Sequence, residues 1–498
     1  MKTVFIYPGY ENLGIEYLSS ALRYDGFETT LIFDPILFDE NGFIKNKYLG
    51  RVFSFRKQII NKIINLKPDL ICFSVLTDYY VWACNLASEL KRHVKSKIIF
   101  GGIHPTSVPE RVITQPFVDY VCVGEGEEAI VDLAKALRDC EPTTSIENIW
   151  AKQKGVIFKN RLRQLISNIN TLPFPDKDIY YSQFPIFNYG YLITTSRGCP
   201  FRCSYCCNNV YHFLYKDIGK FIRRRSIDNV LAELNQAMIK YKFKFIHFID
   251  DVFNHDHIWL LDFLKLYRKE IKLPFSCYVY PDFVERSIAK ELRRSGCFKV
   301  QMGVQIANER KRRDILYRVS SQERILDAIN LLKSENIYVT CDNIFGFPEE
   351  TEDDLRELAH FYNKVPPNHC ESFWLRYYPK TEITRWALEN KYIDEEKREK
   401  IENGNFSYGL INKSEHVRIK SHTQQMMFFL NIYPFIPRKL RSLILKTKFY
   451  HFFPRVPVVF LLIIIRIFNH ARYDFNTVRV LKRYWYFSAI KLKSWKIS

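Results

Sequence analysis

The first 140 residues alternate short apolar runs with amphipathic stretches. Val4-Phe5-Ile6-Tyr7, Thr29 to Phe33, Leu70 to Ser74, Lys97 to Phe100 and Asp119 to Val123 are the runs. Between them, Ile15, Leu18, Ala21 and Leu22 recur at helical spacing from Gly14 to Tyr24, and similar patterns cover Arg56 to Leu66, Ala83 to His93 and Glu127 to Leu137. Strand, helix, strand at this spacing predicts βαβ units and a parallel sheet. Ligands of such sheets sit beyond the carboxyl ends of the strands. Small residues stand there: Ser74-Val75-Leu76, Gly101-Gly102-Ile103-His104-Pro105 and Gly124-Glu125-Gly126-Glu127. Glycines at such ends let backbone approach a ligand closely.

The rhythm stops over residues 141–188. Leu172 to Tyr180 is rich in proline and turn residues, which predicts a linker. It resumes over residues 189–395. Tyr191 to Thr195, Phe245 to Ile249, Phe275 to Val279, Lys299 to Gln305 and Tyr338 to Phe345 are apolar strands, each followed by a helical stretch or, after the first, a cysteine-rich loop. In one helix, Ser226 to Tyr241, Ser226 is the cap and Val230, Leu231, Leu234 and Met238 form the buried face. The series predicts a partial (β/α) TIM-type barrel with its chemistry at the carboxyl ends of the strands. Residues 396–498 form a mainly helical, aromatic region. Its most apolar run, Val456 to Ile465, is shorter than the roughly 20 residues that span a bilayer.

Composition sets the frame. At 498 residues the chain is too long for one core. Its 47% apolar and 26% charged residues are ordinary for a soluble globular protein. Twelve cysteines follow no disulfide rhythm, and Met1 to Pro8 reads as a strand rather than a secretory signal, so a reducing cytoplasm is expected. The net charge of +20 is uneven: from Ile411 onward 17 Lys and Arg face 2 Asp and Glu, so that tail carries +15. Basic residues beside an aromatic, apolar stretch suit a peripheral contact with a membrane surface, with nucleic acid the less favoured partner.

The chemistry concentrates in Gly198-Cys199-Pro200-Phe201-Arg202-Cys203-Ser204-Tyr205-Cys206-Cys207-Asn208. Three closely spaced thiols wrap one soft metal centre. A zinc site would need a fourth ligand, which Cys207 or His212 could supply; Cys207 otherwise reads as a small buried residue. The Cys-x-x-x-Cys-x-aromatic-Cys loop just after an apolar strand resembles the signature of the radical S-adenosylmethionine (radical SAM) enzymes. The resemblance implies that Cys199, Cys203 and Cys206 hold a [4Fe-4S] cluster, that the methionine part of S-adenosylmethionine takes the remaining iron, and that Tyr205 lies near the adenine.

The N-terminal strand ends resemble the Rossmann-like cobalamin-binding domain of one branch of that family. Carried over, the cobalamin-binding residues are Ser74, Leu76, Gly101, Gly102, His104, Gly124 and Glu125, with His104 a turn residue rather than an axial ligand. The mutase motif that places a histidine beneath cobalt is absent, since Asp34 to Asp39 contains no histidine. In the barrel, Asp250-Asp251-Val252-Phe253 resembles the branch's site for the amino group of S-adenosylmethionine. Gly303-Val304-Gln305 supplies Gln305, and Arg318 suits the methionine carboxylate. Ile344 to Asp353 resembles a segment flanking the adenine, with Gly346 and Pro348 in place and Glu349 where the family has a second glycine, which predicts a different bend. The implied architecture is α/β: residues 1–140 bind cobalamin, 141–188 link, 189–395 form the radical SAM barrel, and 396–498 follow.

The implied reaction is reductive cleavage of S-adenosylmethionine to a 5′-deoxyadenosyl radical, hydrogen abstraction, and methyl delivery by cobalamin to an unactivated carbon of a small molecule or lipid. Cyclisation or rearrangement without methyl transfer is the alternative within the branch. A non-catalytic zinc or nucleic-acid-binding protein ranks below both. The electron donor implied is a flavodoxin or ferredoxin.

Overall fold

The computed structural model describes residues 1–39, 44–405, 421–454 and 475–495. Two parallel sheets dominate it. The first comprises β1 (Lys2–Pro8), β2 (Glu28–Asp34), β3 (Leu70–Ser74), β4 (Lys97–Gly101), β5 (Tyr120–Cys122), β6 (Ile149–Gln153) and β7 (Val156–Phe158), in the order β2-β1-β3-β4-β5-β6-β7. The first five strands are parallel, and β3 pairs with β4 so that Ser74 lies beside Gly101. Helices cover both faces, as near-continuous apolar strands require. Asn12 starts one of them, its side chain accepting from the Ile15 amide at 3.0 Å.

Residues 141–188 do more than connect. β6 and β7 form an antiparallel hairpin on the sheet edge, turning through Lys154 and Gly155, both at positive φ. The hairpin is half exposed, so it lacks the apolar run that marks the buried strands.

The second sheet comes from β8 (Tyr191–Ile193), the two-residue pair β9 (Ser196–Arg197) and β10 (Arg223–Arg224) standing apart, then β11 (Ile246–Phe248), β12 (Phe275–Val279), β13 (Cys297–Gln305), β14 (Tyr338–Phe345) and β15 (His369–Trp374). Its order, β15-β14-β13-β12-β11-β8, is sequential and wholly parallel, the open (β/α) barrel that the sequence predicts. β15 escapes the apolar pattern because its lumen face carries His369 and Glu371. In the helix Ile227–Lys240, Met238 is exposed; Val230, Leu231, Leu234 and Ala237 make the buried face.

The strap after the hairpin ties the sheets together. Asp176 accepts from Ser19 (2.7 Å) and Arg23 (3.1 Å) on the first sheet's helix, and Asp178 accepts from Tyr241 (2.8 Å) of the barrel. Between them Lys177 is buried, its ammonium 2.6 Å from Glu16 and 3.1 Å from Glu11. The C-terminal helices Ser421–Ile432 and Arg438–Lys446 pack on the barrel helix Glu352–Lys364. The last, Phe475–Trp495, returns to the first sheet: Arg483 donates to the Gly9 carbonyl, Lys491 to Gln58 (2.9 Å), and Phe487 packs among Phe33, Phe55 and Phe184. Part of the tail's positive charge is therefore internal. Val456 to Ile465 lies outside the described residues, and among those described no helix is long and apolar enough to cross a membrane.

Burial opposes the Lys177 charge, but Glu16 and Glu11 outweigh it and hold its pKa above the usual lysine value. Removing it leaves two buried carboxylates uncompensated. Lys177→Met is expected to lower unfolding stability at neutral pH by about 3–5 kcal/mol, measured by urea denaturation.

Candidate active site

The cysteine loop leaves the second sheet just after β9. Gly198 has φ +84°, and a Cβ there would lie 2.4 Å from the Phe221 carbonyl oxygen, so only glycine fits. Ser204 anchors the loop to the barrel: its hydroxyl donates to the Ile315 carbonyl (2.6 Å), its amide to Leu316 (3.2 Å), and its carbonyl accepts from Ile383 (2.9 Å). His212 Nε2 donates to the Cys199 carbonyl at 2.7 Å and stacks on Phe221, so it braces the loop and is not a fourth ligand. Cys206 caps the helix Cys207–Leu214. Cys207 itself is exposed, not the buried small residue expected, because the helix turns it away from the core.

The three thiols share one electrostatic environment. Burial pushes Cys199 up to about 12, with Cys203 and Cys206 adding to the shift. Burial also raises Cys203, against the pull of Arg318. A buried thiol without a base keeps its proton until a metal displaces it, and three such thiols on one loop are a fitting donor set for an iron–sulfur cluster.

Arg318 stands over the loop. It donates to the Gly303 carbonyl (2.8 Å), lies 3.4 Å from the Tyr205 hydroxyl and 3.7 Å from Cys203 Sγ, and packs on the Tyr280 ring. Gln305, at φ +69°, sits at a break in the β13–β14 register. The two aspartates after β11 part company. Asp250 is spent: it accepts from the Thr195 amide (3.0 Å), Thr195 hydroxyl (2.7 Å) and Ser196 hydroxyl (2.5 Å), fixing the chain just before the cysteine loop. Asp251 stays exposed, faces Asn208, and its charge reaches Cys199 and Cys206. Gly346 (φ +72°) donates to Glu350 at 3.0 Å, and Pro348 is buried beside it. Glu349 adopts φ +63°, the glycine conformation, at a cost of about 1–2 kcal/mol.

The carboxyl ends of the first sheet face this loop. A cavity open to solvent is lined on one side by Ser74, Gly101, Gly102, Gly124 and Glu125, and on the other by Gly198, Asn208, Tyr211 and Tyr215. Gly102 (φ +96°) lies so close to β3 that a Cβ would meet the Val75 nitrogen at 2.8 Å. Tyr215 closes on Gly124 and accepts from the Glu125 amide at 2.8 Å. This glycine cradle is a fitting shape for a flat, bulky cofactor such as cobalamin.

Three of the residues expected at cobalamin have other partners or surroundings, although Glu125 still lines the cavity. Leu76 is 39% exposed and outside the cavity lining. His104 is wholly buried, stacked on Tyr80, with Nδ1 3.2 Å from the Thr77 hydroxyl; burial lowers its pKa to about 3 and keeps it neutral. Pro105 and the short helix Ile103–Ser107 carry it into the core. The Glu125 carboxylate is held bidentately by Arg223 (2.7 and 2.9 Å) and by Arg197 (3.2 Å), so it joins the sheets.

Sequence reading missed Arg197, Arg223, Tyr211, Tyr215 and the barrel lumen. The first four lie outside the apolar periodicity, and only the Arg223-Arg224-Arg225 run hints at them. In the lumen, β13, β14 and β15 align Gln301 with Thr340 and His369, and Gly303 with Asp342 and Glu371. Gln301 donates to both oxygens of Asp342 (2.8 and 3.0 Å). Burial, then the Glu371 charge, push the Asp342 carboxyl up to about 7.

Comparison with known proteins agrees with the two-domain fold. Residues 193–362 match the family model described as the Radical SAM superfamily, and residues 6–134 match that of the B12 binding domain. An uncharacterized methyltransferase of Pyrococcus horikoshii is 25% identical over 390 residues, covering 76% of this chain and 79% of its own length. The cobalamin-dependent S-adenosylmethionine radical enzyme OxsB, solved with aqua-cobalamin, superposes with TM-score 0.67 at 15% identity, over 99% of this chain and 80% of that one. The radical S-adenosylmethionine methyltransferase TsrM of Kitasatospora setae, solved with tryptophan and a S-adenosylmethionine analogue, gives TM-score 0.63 at 15% identity, over 78% and 76%.

Two tests follow. Gly102→Val pushes side chain into β3 and the cradle; corrinoid absorbance after reconstitution should fall at least about tenfold while iron content is kept. Asp342 is protonated in the folded protein up to about pH 7 but ionises near its ordinary 3.8 when unfolded. Its contribution to stability is full below pH 4 and is lost as pH rises toward 7. Asp342→Asn should therefore gain roughly 2 kcal/mol over the parent at pH 8, and little at pH 4, in urea titrations.

Proposed function

The chain belongs to the cobalamin-binding branch of the radical S-adenosylmethionine enzymes, and from that premise we propose that it methylates an unactivated carbon of a small molecule or lipid. One observation carries the reading: the two ends of the cysteine loop, Gly198 and Asn208, line the same cavity as the glycine cradle. When bound there, the cluster, S-adenosylmethionine and cobalamin supply one-electron cleavage, hydrogen abstraction and a transferable methyl group.

The protein's own part is to hold and orient. Cys199, Cys203 and Cys206 ligate the cluster. Arg318, already beside Cys203, receives the methionine carboxylate in two hydrogen bonds. Asp251 takes the amino group; Asp250 holds the strand that presents it. Tyr205, Gln305, Gly346 and Pro348 frame the nucleoside, and Ser74, Gly101, Gly102 and Gly124 admit the nucleotide tail of cobalamin. The lumen below is polar, with Lys299, Gln301, Asp342 and Glu371 on its wall. The part of the substrate that enters it is accordingly hydrogen-bonding: a polar small molecule or the polar end of a lipid. The reductant is a small electron-transfer protein of the flavodoxin or ferredoxin kind, and nucleic acid is not a substrate.

The protein purified without oxygen and supplied with cobalamin should contain iron and stoichiometric corrinoid, and should convert S-adenosylmethionine to 5′-deoxyadenosine. Incubated with extracts of polar metabolites and lipids, it should yield a product one methylene unit heavier than its precursor, labelled by methyl-deuterated S-adenosylmethionine. A product without added carbon would replace methylation by ring closure or rearrangement. Zinc in place of iron would end the reading at Cys199.

A further inference from the structure

The stretch from Arg438 to Pro454 contains five Lys and Arg and no Asp or Glu. Its helix Arg438–Lys446 has two apolar faces. One, with Ile444 and Leu445, is buried against the barrel's outer helix, where Asn363 donates to Ser442 at 2.8 Å. Arg441 lies under the helix on the Tyr433 ring. The other face is open. Leu440 and Leu443, one turn apart, are 47% and 54% exposed, and in the turn that follows Phe449 and Phe452 are 52% and 79% exposed. Arg438, Lys439, Lys446 and Lys448 surround them and are exposed as well. Single exposed apolar residues need no explanation, but four within one short basic segment do.

From this surface we propose that the protein docks on an anionic lipid bilayer through residues 438–452. Leu440, Leu443, Phe449 and Phe452 enter the headgroup boundary, and the surrounding cations meet lipid phosphates. Charge complementarity selects this occupant: residues 438–452 contain Lys and Arg but no Asp or Glu, and the apolar side chains among them suit acyl chains, not the phosphates of a nucleic acid. Lys448 and His451 near Glu352 and the Tyr450 hydroxyl bonded to it (2.7 Å) hold the turn in place on the barrel, so the surface is built before any lipid arrives. The inference goes beyond the catalytic reading and does not depend on it.

The full-length protein is mixed with vesicles of phosphatidylcholine alone or with about one third phosphatidylglycerol and floated on a gradient. It should float with the anionic vesicles, at least about tenfold less with neutral ones, and be released as salt rises to ~0.5 M. Leu440→Ser combined with Leu443→Ser and Phe452→Ser should cut the bound fraction about tenfold, with circular dichroism and iron content unchanged. Should that variant misfold, Lys439→Gln with Lys446→Gln, confined to exposed positions, must still weaken binding severalfold. No flotation with anionic vesicles, equal flotation with neutral ones, or undiminished flotation of the folded variants overturns the proposal. Loss of wild-type binding together with formation of a dimer would assign the surface to a second copy of the chain.

Discussion

The Glu125 carboxylate, held by two arginines from the opposite domain, is the contact on which the active site depends. Glu125 ends a strand of one parallel sheet; Arg197 and Arg223 flank the cysteine loop of the other. Arg197 also reaches Glu127 at 2.5 Å. Burial works against the Glu125 charge, yet Arg223 and Arg197 bring its pKa below the usual carboxylate value. Paired this way, the group is worth keeping only if both partners stay, since a lone buried charge is costly. The pairing sets the carboxyl ends of the first sheet against the two ends of the cysteine loop across one cavity. Parallel sheets place ligands at their carboxyl ends, so the cavity lies where a ligand of the first sheet belongs.

The strap works at the other side of the same junction. Lys177 sits between carboxylates of the first sheet's helix, while its neighbour Asp178 reaches the barrel. The C-terminal helix Phe475–Trp495 adds a third tie by packing Phe487 between the strap and the first sheet. None of these groups has chemistry to perform. They fix a separation that small cofactor displacements would spoil, because orientation contributes a large share of rate enhancement.

Much of this was legible in the chain because buried parallel strands must be apolar. β1 to β5 and most barrel strands announced themselves, and the cysteine spacing marked the loop whose ends reach the cavity. What escaped did so for physical reasons. β15 and the lumen carry polar residues on one face, so periodicity hid them. The β6–β7 hairpin is an exposed edge. The interdomain arginines act across a long sequence separation that no local pattern records. Glu125 and His104 were read as cofactor contacts from their place in a turn. One is claimed by arginines and the other by the core, and only tertiary packing decides such cases. Glu349 stands where the sequence suggested a different bend, and it adopts the left-handed conformation that glycine takes most easily.

The paired aspartates after β11 show how a structure divides roles that a motif leaves joined. Asp250 accepts three short hydrogen bonds, from Thr195 and Ser196, which fills most of what a carboxylate can accept. A cationic ligand would have to compete with bonds already made at full strength. Asp251, one residue on, is exposed and takes a hydrogen bond from Asn208 at the end of the cysteine loop. Its charge raises the pKa of Cys199 and Cys206. A negative group beside thiols that must lose protons to bind iron opposes that step. The two neighbouring aspartates therefore differ in what holds them: Asp250 is fixed by donors at the strand end, and Asp251 by Asn208 at the end of the cysteine loop.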